Sequence, residues 1–432
     1  MNRFPEIESL SAERIKTFQF EKIRTLIQYA ESHSPFYKHI FDSIQMSSSH
    51  ILGWKDFEKI PTTSKDDLQQ HNWDFLCVPK EQIVEFTSTS GTLGRPVTIG
   101  LTEKDLQRLA YNESISFVCA DGSDKDLYQL MLTLDRQFMA GIAYYEGIRK
   151  MGAGLIRVGP GLPALQWETI ERLKPTALVA VPSFIIKLIE FAEQQGIDLN
   201  KSSVKKAICI GESLRTNELQ LNTIGRKINA HWNIQLYSTY ASTEMQTAFT
   251  ECGQGQGGHL HPELIYLELL DEKGFAVPPG ETGEVTITTL GVEGMPLIRY
   301  RTGDLARCHE EACGCGRNTV RLGPIAGRKQ QMIKLKGTTL YPPAIFEVLQ
   351  QSDSVADYVV EVCTSSLGTD ELKLHIHARD GQSDEMKRHL EAAFQSRLRV
   401  VPQILISTAK DIEILQHSGA SRKLKKFLDS RI

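Results

Sequence analysis

The sequence predicts an α/β protein: a large N-terminal domain with mixed, largely parallel sheets and an added β-rich part, then a small α+β C-terminal domain. Three observations carry this. Short apolar runs, "YQLMLTL", "TALVAVP", "AICIG" and "IQLYSTY", are separated by helical stretches such as "SFIIKLIEFAEQQG". Strands alternating with helices imply βαβ units and a buried parallel sheet. Turn-rich segments and the alternation in "GEVTITTL" follow, as an added β-rich subdomain would. After Arg328 the character shifts again: "QQMIKLKG", "VADYVVEVC" and "LKLHIHA" read as strands, and "PAIFEVLQQ" and "DEMKRHLEAAFQSRL" as helices. The expected domains are therefore 1–328 and 329–432.

Taken in order, the chain begins with a packing helix. "AERIKTFQFEKIRTLIQYA" sets Ile15, Phe18, Ile23, Leu26, Ile27 and Ala30 near helical spacing. The start, "MNRFPEIESLSAERIK", lacks the apolar core of a signal peptide. No run of 18 apolar residues occurs, so no membrane span is expected. The 432 residues suffice for two to three domains, and 41% hydrophobic with 24% charged residues is ordinary for a soluble globular protein. A net charge of -4 argues against a polyanion binder, so no nucleic-acid partner is expected. Of eight cysteines, Cys77, Cys119, Cys209 and Cys363 lie singly and read as small buried hydrophobes. Nothing suggests a secreted disulfide scaffold, and a reducing cytoplasm is the expected location.

The segment "FTSTSGTLGRPVTIG", Phe86 to Gly100, concentrates hydroxyl side chains and glycines. Glycine lets backbone N–H groups approach an anion, and Arg95 adds positive charge. The pattern G-x-x-x-x-G-K-[ST] is absent, so this is not a P-loop. Taken alone, the stretch reads equally as a surface Ser/Gly turn.

Order along the chain decides. "STSGTLGRP" resembles the phosphate loop of the adenylate-forming superfamily. "YASTE" (Tyr240–Glu244) resembles its YGxTE motif, "YRTGDLA" (Tyr300–Ala306) its YRTGD motif, and "GRKQQMIKLKG" (Gly327–Gly337) its GRxDDMIxxxG motif. "LIQYAESHSPFYKHIFD", "IPTTSKDDL", "KPTALVAVPS" and "GTTLYPPAIFEVL" extend the resemblance over nearly the whole chain to the phenylacetate-CoA ligase family.

That resemblance implies an AMP-forming acid–CoA ligase that uses ATP, Mg2+ and CoA and makes an acyl-adenylate before the thioester. It assigns Ser88, Thr89, Ser90, Gly91, Thr92 and Arg95 to the ATP phosphates, with Arg95 standing where the family more often has Lys. Glu244 would hold Mg2+, Thr243 the α-phosphate, Tyr240 the adenine, and Asp304 the ribose hydroxyls, with Arg328 as a second contact. Gly211, Glu212 and Ser213, in "IGES", would lie near the adenylate. Lys423, preceded by Arg422 where the family has Gly, would be the adenylation lysine; Lys425 and Lys426 are its neighbours, and a basic amphipathic helix is the alternative for this tail. Gln330, at the hinge where the family usually has Asp, would be the pivot of a mobile C-terminal domain. Gly337 would lie beside the thiol channel.

"CGQGQGGHLH" and "CHEEACGCG" supply two sets of soft ligands around a strand-like segment, which suits tetrahedral zinc. Relatives carry similar residues, which implies Cys252, His259, Cys313 and Cys315 as a closed structural Zn2+ site, with His261 the alternative histidine and Cys308 outside the set. In "RQFMAGIAY", Phe138, Ala140 and Gly141 would suit an aromatic ring, or equally core packing. The leading expectation is an aryl or arylacetic acid with CoA as acceptor. Loading of an acyl-carrier protein or an amine, a non-catalytic homologue, and a homodimer are the readings left open.

Overall fold

The computed structural model describes residues 4–89, 97–335, 338–365, 369–379, 383–417 and 424–431. The chain divides into two compact units. One comprises 1–89, 95–302 and 306–324; the other comprises 90–94, 303–305 and 325–432.

The first unit opens with α1 (Ala12–His33) and α2 (Pro35–Ser43). The Ser11 side chain caps α1, and Ser34 both ends it and caps α2, where Pro35 fits the first turn. The short helices α3 (Trp54–Phe57) and α4 (Lys65–Gln70) lead to the hairpin β1 (Glu85–Ser88) and β2 (Thr98–Leu101). Next is α5 (Glu103–Cys119), started by a reciprocal capping box: the Asp105 N–H donates to the Thr102 hydroxyl and the Thr102 N–H to the Asp105 carboxylate.

A βα succession then builds the main sheet: β3 (Leu127–Leu130), α6 (Met139–Met151), β4 (Gly154–Arg157), α7 (Pro163–Leu173), β5 (Ala177–Ala180), α8 (Pro182–Gln195), β6 (Lys206–Cys209), α9 (Thr223–His231) and β7 (Gln235–Ser242). Strands β4, β3, β5, β6 and β7 lie side by side in parallel. The sheet continues through β8 (Thr247–Glu251), β9 (Gly258–His259), β14 (Arg321–Leu322) and β13 (Cys308–His309), all antiparallel, to nine strands. Strand β5, "ALVA", explains the continuous apolar runs. Leu178 and Ala180 pack with Trp167 of α7, Ile185 of α8 and Ile228 of α9, whereas Ala177 and Val179 pack with Phe117 of α5 and Tyr144 of α6. Both faces are covered, so the strand has no polar side.

The β-rich part holds β10 (Ile265–Leu270), β11 (Gly283–Thr289) and β12 (Tyr300–Ala306). The alternation in β11 does not mark a wet face, since every residue of that strand is buried. Its threonines are satisfied inside: Thr288 accepts from the Arg299 N–H at 2.9 Å and Thr289 from the Leu297 N–H at 2.9 Å.

The second unit carries β15 (Gly327–Arg328), which pairs with the Asp304–Leu305 part of β12. The hairpin β16 (Ile333–Leu335) and β17 (Thr338–Leu340) and α10 (Pro342–Gln350) follow. The strands β18 (Val355–Thr364), β19 (Asp370–Ala378), β20 (Gln403–Ile406) and β21 (Phe427–Ser430) form a sheet ordered β20-β19-β18-β21. Helices α11 (Ser383–Leu398) and α12 (Ala409–Gln416) complete it, with Leu390 and Phe394 of α11 in the core. No helix among the described residues is long and apolar enough to cross a membrane.

Candidate active site and metal centre

In the first unit, the phosphate-loop candidates Ser88 and Thr89 are held in a closed set of hydrogen bonds. The Thr89 N–H donates to the Val97 carbonyl at 2.9 Å, and the Val97 N–H donates to the Thr89 hydroxyl at 3.0 Å. The Ser88 N–H donates to the Gln137 carbonyl, and its hydroxyl to the Thr89 carbonyl. Ser90, Gly91, Thr92 and Arg95 lie outside the described residues.

Strands β7 and β8 form an antiparallel hairpin in which Ser242 pairs with Thr247, so Thr243 and Glu244 sit in a four-residue loop. Both are half-buried, as is Tyr240, which pairs with Phe249 across the ladder. Gln246 closes the loop with a left-handed φ of 48°. A carboxylate and a hydroxyl side by side on a tight hairpin are chemically suited to a cation and a phosphate oxygen.

Glu212 is committed elsewhere. Its carboxylate accepts from the Ser183 N–H at 2.8 Å and the Ser183 hydroxyl at 2.7 Å, capping the first turn of α8. Gly211 beside it adopts a φ of 73°, and the Ser213 hydroxyl donates to the Arg215 carbonyl. Phe138 is the N-cap of α6, and Phe138 and Ala140 pack half-buried on the cluster of Tyr128, Tyr144 and Ile210. A Cβ on Gly141 would meet the Thr133 carbonyl oxygen at 2.3 Å, so this glycine lets α6 approach the preceding backbone.

In the second unit, the buried Asp304 accepts from the Arg328 Nε at 2.9 Å, its registered partner across β12 and β15. Gln330 lies in the 3-10 turn Lys329–Gln331, and Arg431 donates to the Gln330 and Met332 carbonyls at 3.2 and 2.8 Å. Gly337 and Lys423 lie outside the described residues. The Lys425 N–H donates to the Gln416 carbonyl, and Lys426 pairs with Asp357 and lies over the Tyr358 ring. The run after Lys426 is the strand β21, parallel to β18, and not a basic helix.

The structure brings Cys252, His259, Cys313 and Cys315 together, with all four donor atoms within 4.8 Å of one another. The Cys252 and Cys313 sulfurs are 3.6 Å apart, and the Cys315 sulfur is 3.5 Å from His259 Nε2. Tetrahedral zinc with Zn–S bonds near 2.3 Å would space its thiolates by about 3.8 Å, so the set fits that ion. His259 Nδ1 is 2.9 Å from the Thr319 hydroxyl, which fixes the ring and leaves Nε2 turned to the thiols. His261 is fully engaged elsewhere, Nδ1 with Glu8 at 2.6 Å and Nε2 with Ser116 at 3.0 Å. Burial opposes ionisation of Cys315, but hydrogen bonds from His259 and Arg317 outweigh it and hold the thiol down to about 5. Burial pushes Cys252 up. Four protein donors would leave no open position for chemistry.

Three residues that sequence reasoning missed hold these features. Glu8 is fully buried and accepts from Arg317 Nε at 2.6 Å as well as pairing with His261. Arg317 stacks on Phe4 at 4.2 Å, and its guanidinium lies 3.6 Å from the Cys315 sulfur, so the N-terminal segment is tied to the cluster's border. Arg108 is the third. From α5 it donates to the Leu290, Leu264 and Gln246 carbonyls and to the Thr247 hydroxyl. Burial lowers it to about 10, still cationic at neutral pH. No local pattern marks these three, because their partners are remote in sequence.

The pattern of the family described as "AMP-binding enzyme" matches residues 26–294. Phenylacetate-coenzyme A ligase of Thermus thermophilus is 27% identical, over 99% of both chains. That of Aromatoleum evansii is 26% identical over 98% of this chain and 96% of its own, and that of Escherichia coli K12 is 25% identical over 93% and 91%. Among solved structures, a 2-hydroxyisobutyryl-CoA ligase in the postadenylation state, bound to R3-HIB-AMP, superposes with a TM-score of 0.86 over 99% of this chain and 92% of its own, at 22% identity. That last likeness speaks to the fold. With the Thr243–Glu244 hairpin and the ordered motifs, these similarities place the chain in the AMP-binding enzyme family, as a phenylacetate-CoA ligase-like member.

Proposed function

We propose that the chain activates an aromatic acid, aryl or arylacetic, and transfers the acyl group to free CoA. The coarser activity is plain: it is an AMP-forming acid–CoA ligase that works through an acyl-adenylate. The observation that carries the finer reading is the near full-length similarity to phenylacetate-CoA ligases.

In the first half-reaction the acid's carboxylate oxygen attacks the α-phosphorus of ATP, and the bond to pyrophosphate breaks. The demand is charge stabilisation in line with the transfer, not a covalent protein nucleophile. Thr243 donates to an α-phosphate oxygen. Glu244 is the carboxylate for Mg2+, which, when bound, neutralises charge on the phosphates. Ser88, Thr89, Ser90, Gly91, Thr92 and Arg95 hold the leaving pyrophosphate, with Thr89 keeping only its hydroxyl proton to donate. Tyr240 packs on adenine, Asp304 accepts the ribose hydroxyls, and Arg328 orients Asp304. Gly211 and Ser213 border the adenylate, and Glu212 shapes that border through α8. Lys423 brings an ammonium to the attacking carboxylate.

In the second half-reaction the thiol sulfur attacks the acyl carbon, AMP leaves, and the CoA arm passes Gly337. Gln330 is the pivot between the halves, with 1–328 as the adenylation domain and 329–432 as the mobile domain of this reading. Phe138 and Ala140 line the acid pocket, and Gly141 sets the depth of α6 behind it. Cys252, His259, Cys313 and Cys315 hold a structural Zn2+. The protein works in the cytoplasm.

The test is a panel of carboxylic acids with ATP and CoA, read by mass spectrometry. The expected product is an aryl- or arylacetyl-CoA with AMP. Acyl-AMP without acyl-CoA would point to a carrier protein or an amine as acceptor, and thioesters of aliphatic acids alone would overturn the aromatic reading.

A further inference from the structure

The phosphate loop connects the strands of a small hairpin. Among the described residues, β1 and β2 pair only with each other, and a two-stranded hairpin alone is marginal in water. At its loop-bearing end Ser88 is registered with Thr98. There the outer edge of each strand is gripped from elsewhere in the first unit. On the β2 edge the partner is a side chain. The Asn72 amide nitrogen donates to the Thr98 carbonyl at 2.7 Å, and the Thr98 N–H donates to the Asn72 amide oxygen at 3.0 Å. A primary amide offers the donor and acceptor of a peptide group, so Asn72 stands in for a third strand. On the β1 edge the Ser88 N–H donates to the Gln137 carbonyl at 3.0 Å. Both partners are themselves fixed. Asn72 opens the 3-10 turn Asn72–Phe75, whose Phe75 is fully buried and stacks on Phe36 at 3.9 Å. The next residue, Trp73, meets Phe86 of β1 edge to face, with ring centroids 6.2 Å apart. The Gln137 carbonyl belongs to a turn closed by the Phe138 N–H donating to the Asp135 carbonyl at 3.3 Å. Its central residues, Arg136 and Gln137, have φ of 60° and 56°, a conformation that residues with a Cβ seldom adopt and that persists where the surroundings enforce it.

We propose that Asn72 is a positioning residue for adenylation: by holding Thr98 it fixes the stem from which the phosphate loop meets the pyrophosphate end of ATP. The proposal rests on the reading of Ser88 to Arg95 as that loop. Asn72 acts through Thr98 and its neighbour Val97, whose carbonyl takes the Thr89 N–H and whose N–H takes the Thr89 hydroxyl. Donors that stabilise a leaving pyrophosphate work by being in place beforehand, so a stem free to shift weakens all of them together. A misplacement of about 1 Å is enough to cost about 100-fold in rate. The thioester half-reaction involves no pyrophosphate. The role of Asn72 is therefore confined to the first half-reaction, which separates it from a residue that only supports the fold.

The experiment compares wild type with Asn72→Ala and Asn72→Asp, on the acid that the wild type activates best. Aspartate keeps the shape and an acceptor for the Thr98 N–H, but sets a carboxylate oxygen against the Thr98 carbonyl. In both variants ATP–pyrophosphate exchange should fall about 10- to 100-fold, with the KM values for MgATP and pyrophosphate rising and the KM for the acid unmoved. CoA-dependent consumption of supplied acyl-AMP should stay within about twofold of wild type. Equal losses in the two half-reactions would make Asn72 a structural residue and overturn the proposal. So would exchange at the wild-type rate in either variant, or a rise confined to the KM for the acid. If Asn72→Ala does not fold, the aspartate isostere decides; failure of both to fold overturns the proposal. A chain carrying Ser90→Ala and Thr92→Ala together tests the loop assignment separately. If that double variant exchanges like wild type, the loop reading has failed and the proposal falls with it. If it loses exchange while the Asn72 variants keep it, the loop reading stands and the proposal alone is overturned.

Discussion

Two glutamates in recognisable motifs have different work. Glu212 spends its carboxylate on Ser183 at the start of α8, whereas Glu244 sits half-buried in the β7–β8 loop beside Thr243. Glu244→Gln should therefore cut pyrophosphate exchange by about 100-fold and raise the Mg2+ requirement, with melting unchanged. Glu212→Gln should instead lower stability by about 1 kcal/mol, with a smaller effect on exchange. Exchange assays over a Mg2+ series, with thermal melts, separate the two; equal kinetic losses would contradict the division. Glu113 supplies a pH-dependent case. Burial raises it to about 8, against a hydrogen bond from Asn112 that lowers it. Its folded pKa lies above the unfolded value, so its contribution to stability is fully present below about 4.5 and is lost as pH rises through about 8. Glu113→Gln should gain on the order of 3 kcal/mol over wild type near pH 8 and little near pH 4.5. Urea unfolding at both pH values tests this, and a gain that does not change with pH would refute it. Neither the burial of Glu113 nor that of Gln246 was legible in the sequence, because burial is a property of packing and leaves no local pattern.

At the scale of elements, the metal candidates join segments that have little else in common. Cys252 follows β8, His259 lies in β9, and Cys313 and Cys315 belong to the turn between β13 and β14. The cysteine and histidine types were legible because soft donors in two close sets have few other uses. The choice of His259 over His261 was not, since it turns on Thr319 taking one ring nitrogen and on Glu8 and Ser116 taking both of the other ring's. Glu8 and Arg317 are 309 positions apart, and their bond makes the N-terminal segment a flap on the cluster's border. Chelation should therefore do more than lower the melting temperature. Hydrogen exchange should quicken at residues 4–10 and 313–318 together, and Glu8→Gln should reproduce the quickening at 4–10 with one equivalent of zinc still bound. Metal analysis and mass-resolved exchange check this; a native preparation without zinc, or a flap indifferent to chelation, would overturn it.

For the whole molecule, the fold class was legible because both faces of the central strands are covered, which forces unbroken apolar runs between helices. The course of the chain between units was not: Gly303–Leu305 cluster with the second unit although β12 begins in the first. The proposed switch between half-reactions turns on Gln330. Arg431 fastens the carbonyls of Gln330 and Met332 and is itself paired with Asp370 and Asp429, so the chain from Gln330 onward is bound into the second unit. The freedom to pivot would then reside in the backbone up to and including the φ and ψ of Gln330, and a carboxylate there should be dispensable. Gln330→Asp should leave both half-reactions within about twofold of wild type, whereas Gln330→Pro, which locks φ near −65°, should slow thioester formation about 10- to 100-fold while pyrophosphate exchange changes little. Exchange measures the first half-reaction and CoA-dependent consumption of supplied acyl-AMP the second. If proline slows both equally, Gln330 is a structural position and the pivot lies elsewhere.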